Sequence, residues 1–284
     1  MADQSSKTVQ RQFLIFKDLD TSSIALLTTV ANFDLYAKTI SFFPKGIPHY
    51  IIDGTNGMHG IHSLKYMMKR LKGKGIEWLI MSDEDVIFYN PNSVFDIINE
   101  MKANQITVCG VRDGGSIAHR NKNPFVINTF FSILHFKEIE AIWNTKEMLK
   151  NQFYIPNEFH DDLTRLPFDY DITSLYEPYY CFYFWLRRKG KQFLFLEAVM
   201  DSDGISNKVV FNNQEILCHT WYARSYGENE KHTKRINCVI EKMQIVAIPK
   251  NSLSIQTKLY KKSTFALEQL VLKFYEKIYR KLTK

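Results

Sequence analysis

The chain has 284 residues, of which 45% are hydrophobic, enough for one large core or one core with an appendage. Its formal net charge is +7, yet residues 258–284 carry eight Lys and Arg against Glu268 and Glu276, six of the seven net charges. The remainder is nearly neutral, which argues against a general nucleic-acid-binding surface.

Residues 24–30 are β-branched and apolar and read as a strand. Residues 33–43 place Phe33, Tyr36, Ala37, Ile40 and Phe43 at helical spacing and stop before Pro44. A short strand over 49–53 ends in the turn-rich Asp53-Gly54-Thr55-Asn56-Gly57. Residues 61–71 are helical, with Leu64, Met67, Met68 and Leu71 on one face. A strand over 76–81 delivers Asp83-Glu84-Asp85. Asn92 or Ser93 caps a helix to about Met101, and residues 106–111 form another strand. This alternation predicts an α/β domain built on a parallel, doubly wound sheet, with ligands at the carboxyl ends of its strands. Asp53 and Asp83/Asp85 both fall at such ends.

The second half is less regular. Residues 128–136 read as a strand. Residues 144–176 hold few periodic signals and many Asp, Glu and Asn, which predicts a mobile loop. Residues 177–188 read as an aromatic helix with Pro178 in its first turn, ended by Gly190. Strands follow over 193–198, 209–211 and 215–219. Residues 245–254 read as a linker, and 263–281 as a basic amphipathic helix. Asp201-Ser202-Asp203-Gly204 lacks the downstream bidentate Glu of a calcium loop and reads as an ordinary loop. Cys109, Cys181, Cys218 and Cys238 show no C-x-x-C spacing, and the first three read as buried thiols of a reducing compartment. Residues 1–12 are polar, and no run approaches the ~20 apolar residues of a bilayer span. The expectation is a cytoplasmic chain.

Asp83-Glu84-Asp85 interrupts an apolar stretch, where unpaired charge is costly. Acids at i and i+2 on an extended segment share a face and can share one divalent cation; Glu84 faces the other side. Asp53 can accept from a base or ribose, or simply close its turn. Arg224 can pair with phosphate, or stand on the surface.

The order of elements resembles GT-A glycosyltransferases, over roughly residues 24–225. Leu26-Leu27-Thr28-Thr29-Val30-Ala31-Asn32 is similar to the first strand and turn of their nucleotide-binding half. Tyr50-Ile51-Ile52-Asp53-Gly54 resembles their nucleoside-contacting loop, and Asp83-Glu84-Asp85 their D-x-D motif. Asn128-Thr129-Phe130 resembles a strand start that faces the donor sugar, with Phe130 in place of glycine. Leu186-Arg187-Arg188-Lys189-Gly190 resembles the exit of the helix bearing the catalytic acid, and Cys218-His219-Thr220-Trp221 a late metal-binding histidine.

The resemblance implies a GT-A-like (Rossmann-like), mostly parallel sheet flanked by helices. Its catalytic domain would span 21–245, with a nucleotide-binding half over 21–125 and an acceptor half over 126–245. A polar segment, 1–20, would precede it, and a linker with a C-terminal helical appendage, 246–284, would follow. The implied reaction moves a sugar from a nucleotide-sugar donor to a glycan or lipid-linked acceptor, in assembly of a surface polysaccharide or glycoconjugate. Asp83, Asp85 and His219 would hold Mn2+ or Mg2+. Asp53, Asp83, Asn128 and Arg224 would contact the donor. Glu177 is the first candidate base, although the Glu-Asp pair of the inverting branch is missing. Asp171, Asp169, Asp161 and Asp162 remain alternatives. The basic tail would lie on the inner face of a membrane, or pack on the domain or another subunit. A nucleotidyltransferase acting on a sugar phosphate and an inactive GT-A-like binding module are the competing readings.

Overall fold

The computed structural model describes residues 20–246 and 257–282. Its strands are β1 (Ile24–Val30), β2 (His49–Asp53), β3 (Trp78–Ser82), β4 (Val86–Phe88), β5 (Val108–Arg112), β6 (Ile127–His135), β7 (Phe193–Met200), β8 (Asn207–Phe211), β9 (Gln214–His219) and β10 (Thr257–Tyr260). The α-helices are α1 (Phe33–Thr39), α2 (Ile61–Leu71), α3 (Ser93–Ala103), α4 (Phe136–Ile142), α5 (Thr145–Leu149), α6 (Tyr180–Arg188), α7 (Glu230–Val246) and α8 (Phe265–Leu282).

The strands form one sheet in the order β10-β2-β1-β3-β6-β5-β7-β8-β9-β4. β10, β2, β1 and β3 pair in parallel, as do β5 and β7. β6 runs antiparallel between β3 and β5. β7, β8, β9 and β4 are antiparallel throughout. The sheet is therefore mixed, not mostly parallel. The reason is local: Asn212 and Asn213, both at positive φ, make a two-residue hairpin turn between β8 and β9, and such a turn joins only antiparallel strands.

Strand alternation divides the core. Ala25, Leu27, Leu79 and Met81 pack with α2, α4 and α6 on one face; Ile24, Leu26, Trp78 and Ile80 pack with α1 and α3 on the other. α6 is buried around its whole circumference from Tyr180 to Leu186, so its aromatic run is core. It begins at Tyr180, three residues later than expected, and leaves Glu177 and Pro178 in the lead-in. α7 covers β4 and β9 with Ile236, Val239 and Ile240.

Residues 150–176 carry no regular element, but they are tied down rather than free. Arg188 grips Glu158 and the Phe153 carbonyl, Arg187 pairs with Asp161, and Asn123 donates to the Ile172 and Ser174 carbonyls. The C-terminal segment is not a detached appendage either. β10 extends the sheet beside β2, and Tyr260 stacks on Tyr50. The first turn of α8 packs on the domain through buried Phe265. Most of the expected linker and the N-terminal polar segment lie outside the described residues, while residues 245–246 end α7.

His49 on β2 is 1% exposed, bonded through Nε2 to Thr28 Oγ1 at 2.9 Å and packed against Phe43. Burial pushes its pKa down to about 4. The unfolded chain takes up this proton below about pH 6.5, the folded chain only near 4, so the contribution to stability is lost as pH falls through that window. Denaturant unfolding is expected to lose up to about 3 kcal/mol there through this group. His49→Gln should flatten the slope; an unchanged slope rules the assignment out.

Candidate active site

The carboxyl ends of β1 and β3, the start of α2 and the segment after β9 enclose a cavity of about 520 Å3. Asp83, Asp85, Asn128, Glu177, His219 and Arg224 all line it. Asp53 and Asp171 do not.

Asp83-Glu84-Asp85 is the whole connection between β3 and β4. β4 then pairs with β9 in the register Val86↔His219, which brings the histidine beside the acids. Thr220 N–H donates to the Asp85 carbonyl at 3.0 Å and closes the junction. Glu84, expected on the other side, lines the same cavity. Its Oε1 accepts from the N–H groups of Ala31 and Asn32 at 2.8 and 2.9 Å, at the entry to α1. Burial, then the charge of Asp85, raises Glu84 to about 7 against these bonds. Burial likewise pushes the Asp83 carboxyl well above the usual range, with Glu84 and Asp85 adding repulsion and Arg224 opposing it.

The His219 ring is fixed from two sides. Phe130 stacks on it at 4.1 Å and 8°, and Trp221 leans on it at 4.3 Å. Phe130, which replaces the expected glycine, thus has a packing role. His219 Nε2 stands 3.4 Å from Asp85 Oδ1, while buried Nδ1 has no hydrogen-bond partner. Trp221 and Tyr222 are both left-handed, with φ of 60° and 64°. Asn32 Nδ2 fastens the segment that follows, donating to the Ala223 and Tyr226 carbonyls.

Asp113, Arg120 and His59 were not singled out from the sequence. Fully buried Asp113 accepts from Arg120 Nε at 2.6 Å and Nη2 at 2.9 Å, from Asn128 Nδ2 at 2.7 Å, and from the Tyr180 hydroxyl. Burial raises its carboxyl, and Arg120 and Tyr180 pull it back. Arg120 Nη2 reaches on to Glu177 Oε1 at 2.8 Å. Asn128, expected to face a donor, lines the cavity and gives one amide N–H to Asp113. The signal was available: Asp113 follows strand 106–111, just as Asp53 and Asp83 follow theirs. His59, at the start of α2, lines the cavity; burial lowers its pKa, Arg224 adds to this, and Glu177 opposes it.

Asp53 is committed elsewhere. Its Oδ1 accepts from Thr55 N and Oγ1, and Oδ2 pairs with Lys261 Nζ at 3.0 Å. Burial alone would raise its pKa, but these partners hold it below the usual range. Asp171 closes an exposed turn with Thr173. Asp161 pairs with Arg112 and Arg187, and Asp162 closes a turn with Thr164. Neither these two nor Asp169 line the cavity.

Among the described residues, no group of three or more His, Cys, Asp and Glu side chains forms a ready-made metal-binding cluster. The donors still fit a divalent ion chemically. Two carboxylates and an imidazole line one cavity, Asp83 sits among like charges, and His219 keeps an unpartnered ring nitrogen.

Asp113→Ala removes the buried carboxylate shared by Arg120, Asn128 and Tyr180 and is expected to cost about 3–5 kcal/mol in denaturant unfolding. Asp171→Asn should stay within about 0.5 kcal/mol of the parent. Equal costs would remove Asp113 from its central place.

No protein-family model matches the chain, and no curated protein matches it. Among solved structures the chain is similar to the mannosyltransferase PcManGT from Pyrobaculum calidifontis, in complex with GDP-Man and Mn2+, at 9% identity and a TM-score of 0.32. The match covers 47% of this chain and 52% of that one, so this chain spans about half the length of that structure.

Proposed function

We propose that the chain is a metal-dependent glycosyltransferase that moves a sugar from a nucleotide-sugar donor to a glycan or lipid-linked acceptor, in assembly of a surface polysaccharide or glycoconjugate. The observation that carries this reading is the meeting of Asp83, Asp85 and His219 with Arg224 and Glu177 on one cavity at the carboxyl ends of β1 and β3. Asp83, Asp85 and His219 would hold Mn2+ or Mg2+, which when bound neutralises charge on a leaving diphosphate.

The chain's own residues supply the remaining steps. Arg224 and His59, which also line the cavity, offer donors to the diphosphate. Glu177 takes the proton of the acceptor hydroxyl as its oxygen attacks the anomeric carbon. The bond from that carbon to the diphosphate breaks, and its electron pair leaves with the diphosphate. Arg120, bonded to Glu177 and anchored on Asp113, fixes the carboxylate in place. Asp53 and Asp171, which do not line the cavity, take no part in this reading.

A thermal-shift screen of nucleotide sugars with and without Mn2+ should find a donor that raises the melting temperature only with metal. Asp85→Ala should abolish that shift. Glu177→Gln should keep it while lowering kcat by roughly 10^2-fold or more. A metal-dependent shift without turnover in the parent would favour the binding-module reading; no shift with any nucleotide sugar would remove the transferase reading.

A further inference from the structure

Helix α8 carries a continuous apolar stripe that no part of the described chain covers. Leu267, Leu270, Val271, Phe274, Tyr275 and Ile278 follow one another at steps of three and one, which places them on one face. They are 64, 65, 45, 63, 65 and 39% exposed. The stripe extends for about 16 Å along the helix. No helix of the described residues is long and apolar enough to cross a membrane.

The charge pattern selects the occupant. From residue 273 to 281 the sequence carries Lys273, Lys277, Arg280 and Lys281 against Glu276 alone, and Lys258, Lys261 and Lys262 precede the helix. A second copy of α8 laid parallel on the stripe would bring cation against cation; laid antiparallel, Lys277 would face Glu268, whose carboxylate Lys262 already neutralises, and the cations that follow would stay unmatched. An anionic lipid surface takes up the apolar residues and the cations together. We propose that α8 lies in the interface of an anionic phospholipid bilayer, with the stripe from Leu267 to Ile278 immersed.

The attachment is anchored to the domain at one end. Phe265 is buried against His62, at 5.1 Å between ring centroids, and Asn56 Nδ2 donates to the Lys262 carbonyl at 2.8 Å. Those contacts fall on residues 56–62, which also supply His59 and Gly60 to the cavity wall. A docked α8 therefore holds one rim of the cavity near the bilayer. The docking itself does not depend on the reaction proposed for the cavity.

The test is co-sedimentation of the full chain with phosphatidylcholine vesicles, with and without added phosphatidylglycerol, beside light scattering of the chain alone. Binding to the anionic vesicles should exceed binding to the neutral ones at least ~10-fold and weaken with salt. The Leu270→Glu/Phe274→Glu variant should lose that binding with an unchanged melting temperature, because both side chains are exposed. Lys273→Glu/Lys277→Glu should lose the preference for phosphatidylglycerol. Absence of binding to either vesicle overturns the proposal. So does a parent dimer that the Leu270→Glu/Phe274→Glu variant disperses, since a second copy would then own the face.

Discussion

Three residues carry the chain from a strand in the middle of the sheet to the strand at its far edge. Asp83, Glu84 and Asp85 leave β3 and enter β4, which bonds to β9. A link this short allows no slack, so the sheet must curl until its distant end meets its centre. The antiparallel register then decides what stands beside the acids. A slip of one residue would turn His219 to the opposite face. Glu84 secures the junction by capping the backbone at the entry to α1. The cluster is thus a product of strand pairing, and backbone N–H groups and Arg224 offset the loss of water only in part, since burial still holds the Asp83 and Glu84 carboxyls above their usual range.

A second polar centre reaches the cavity through Arg120, Asn128 and Glu177. Asp113 gathers Arg120, Asn128 and Tyr180, which come from a loop, a strand and the central helix. Arg120 extends this centre to Glu177. The close approach of the loop depends on Gly114, where a Cβ would lie 1.9 Å from the Lys122 carbonyl oxygen. The cavity lining therefore mixes Asp83, Asp85 and Glu177 with Arg120, Arg224 and His59. Charges of both signs on one lining suit a ligand with anionic and neutral polar parts and limit how such a ligand can be oriented.

Much of the first half was legible because periodicity and burial agree there. The strands over 24–30 and 49–53 and the helix over 61–71 lie where the pattern puts them. The mixed sheet was less visible, since a strand's direction is set by its neighbours and not by its own sequence. β4 has three residues, too few for any period, and β10 is an edge strand held by pairing with only Tyr260 buried. The helix over 230–246 is legible in Ile236, Val239 and Ile240, which fall at steps of three and one. In the site, Asp83, Asp85 and His219 meet because β4, which follows the acids directly, pairs with β9 at the far edge of the sheet. Asp53 shows the converse. Its partner Lys261 lies more than two hundred residues away, and no local pattern announces that pair.

Trp221 and Tyr222 hold two successive bulky side chains in a backbone region that costs roughly 1–2 kcal/mol per residue. Ring contacts with His219 and His119, and the bond from Trp221 Nε1 to Asn207, keep the first of them there. The turn is in effect a wound spring beside Arg224, clamped by Asn32 at Ala223 and Tyr226. Any occupant that pulled on that guanidinium would work with or against the recoil. Loading of the cavity would then register first as altered order over 221–225, well before the surrounding strands responded.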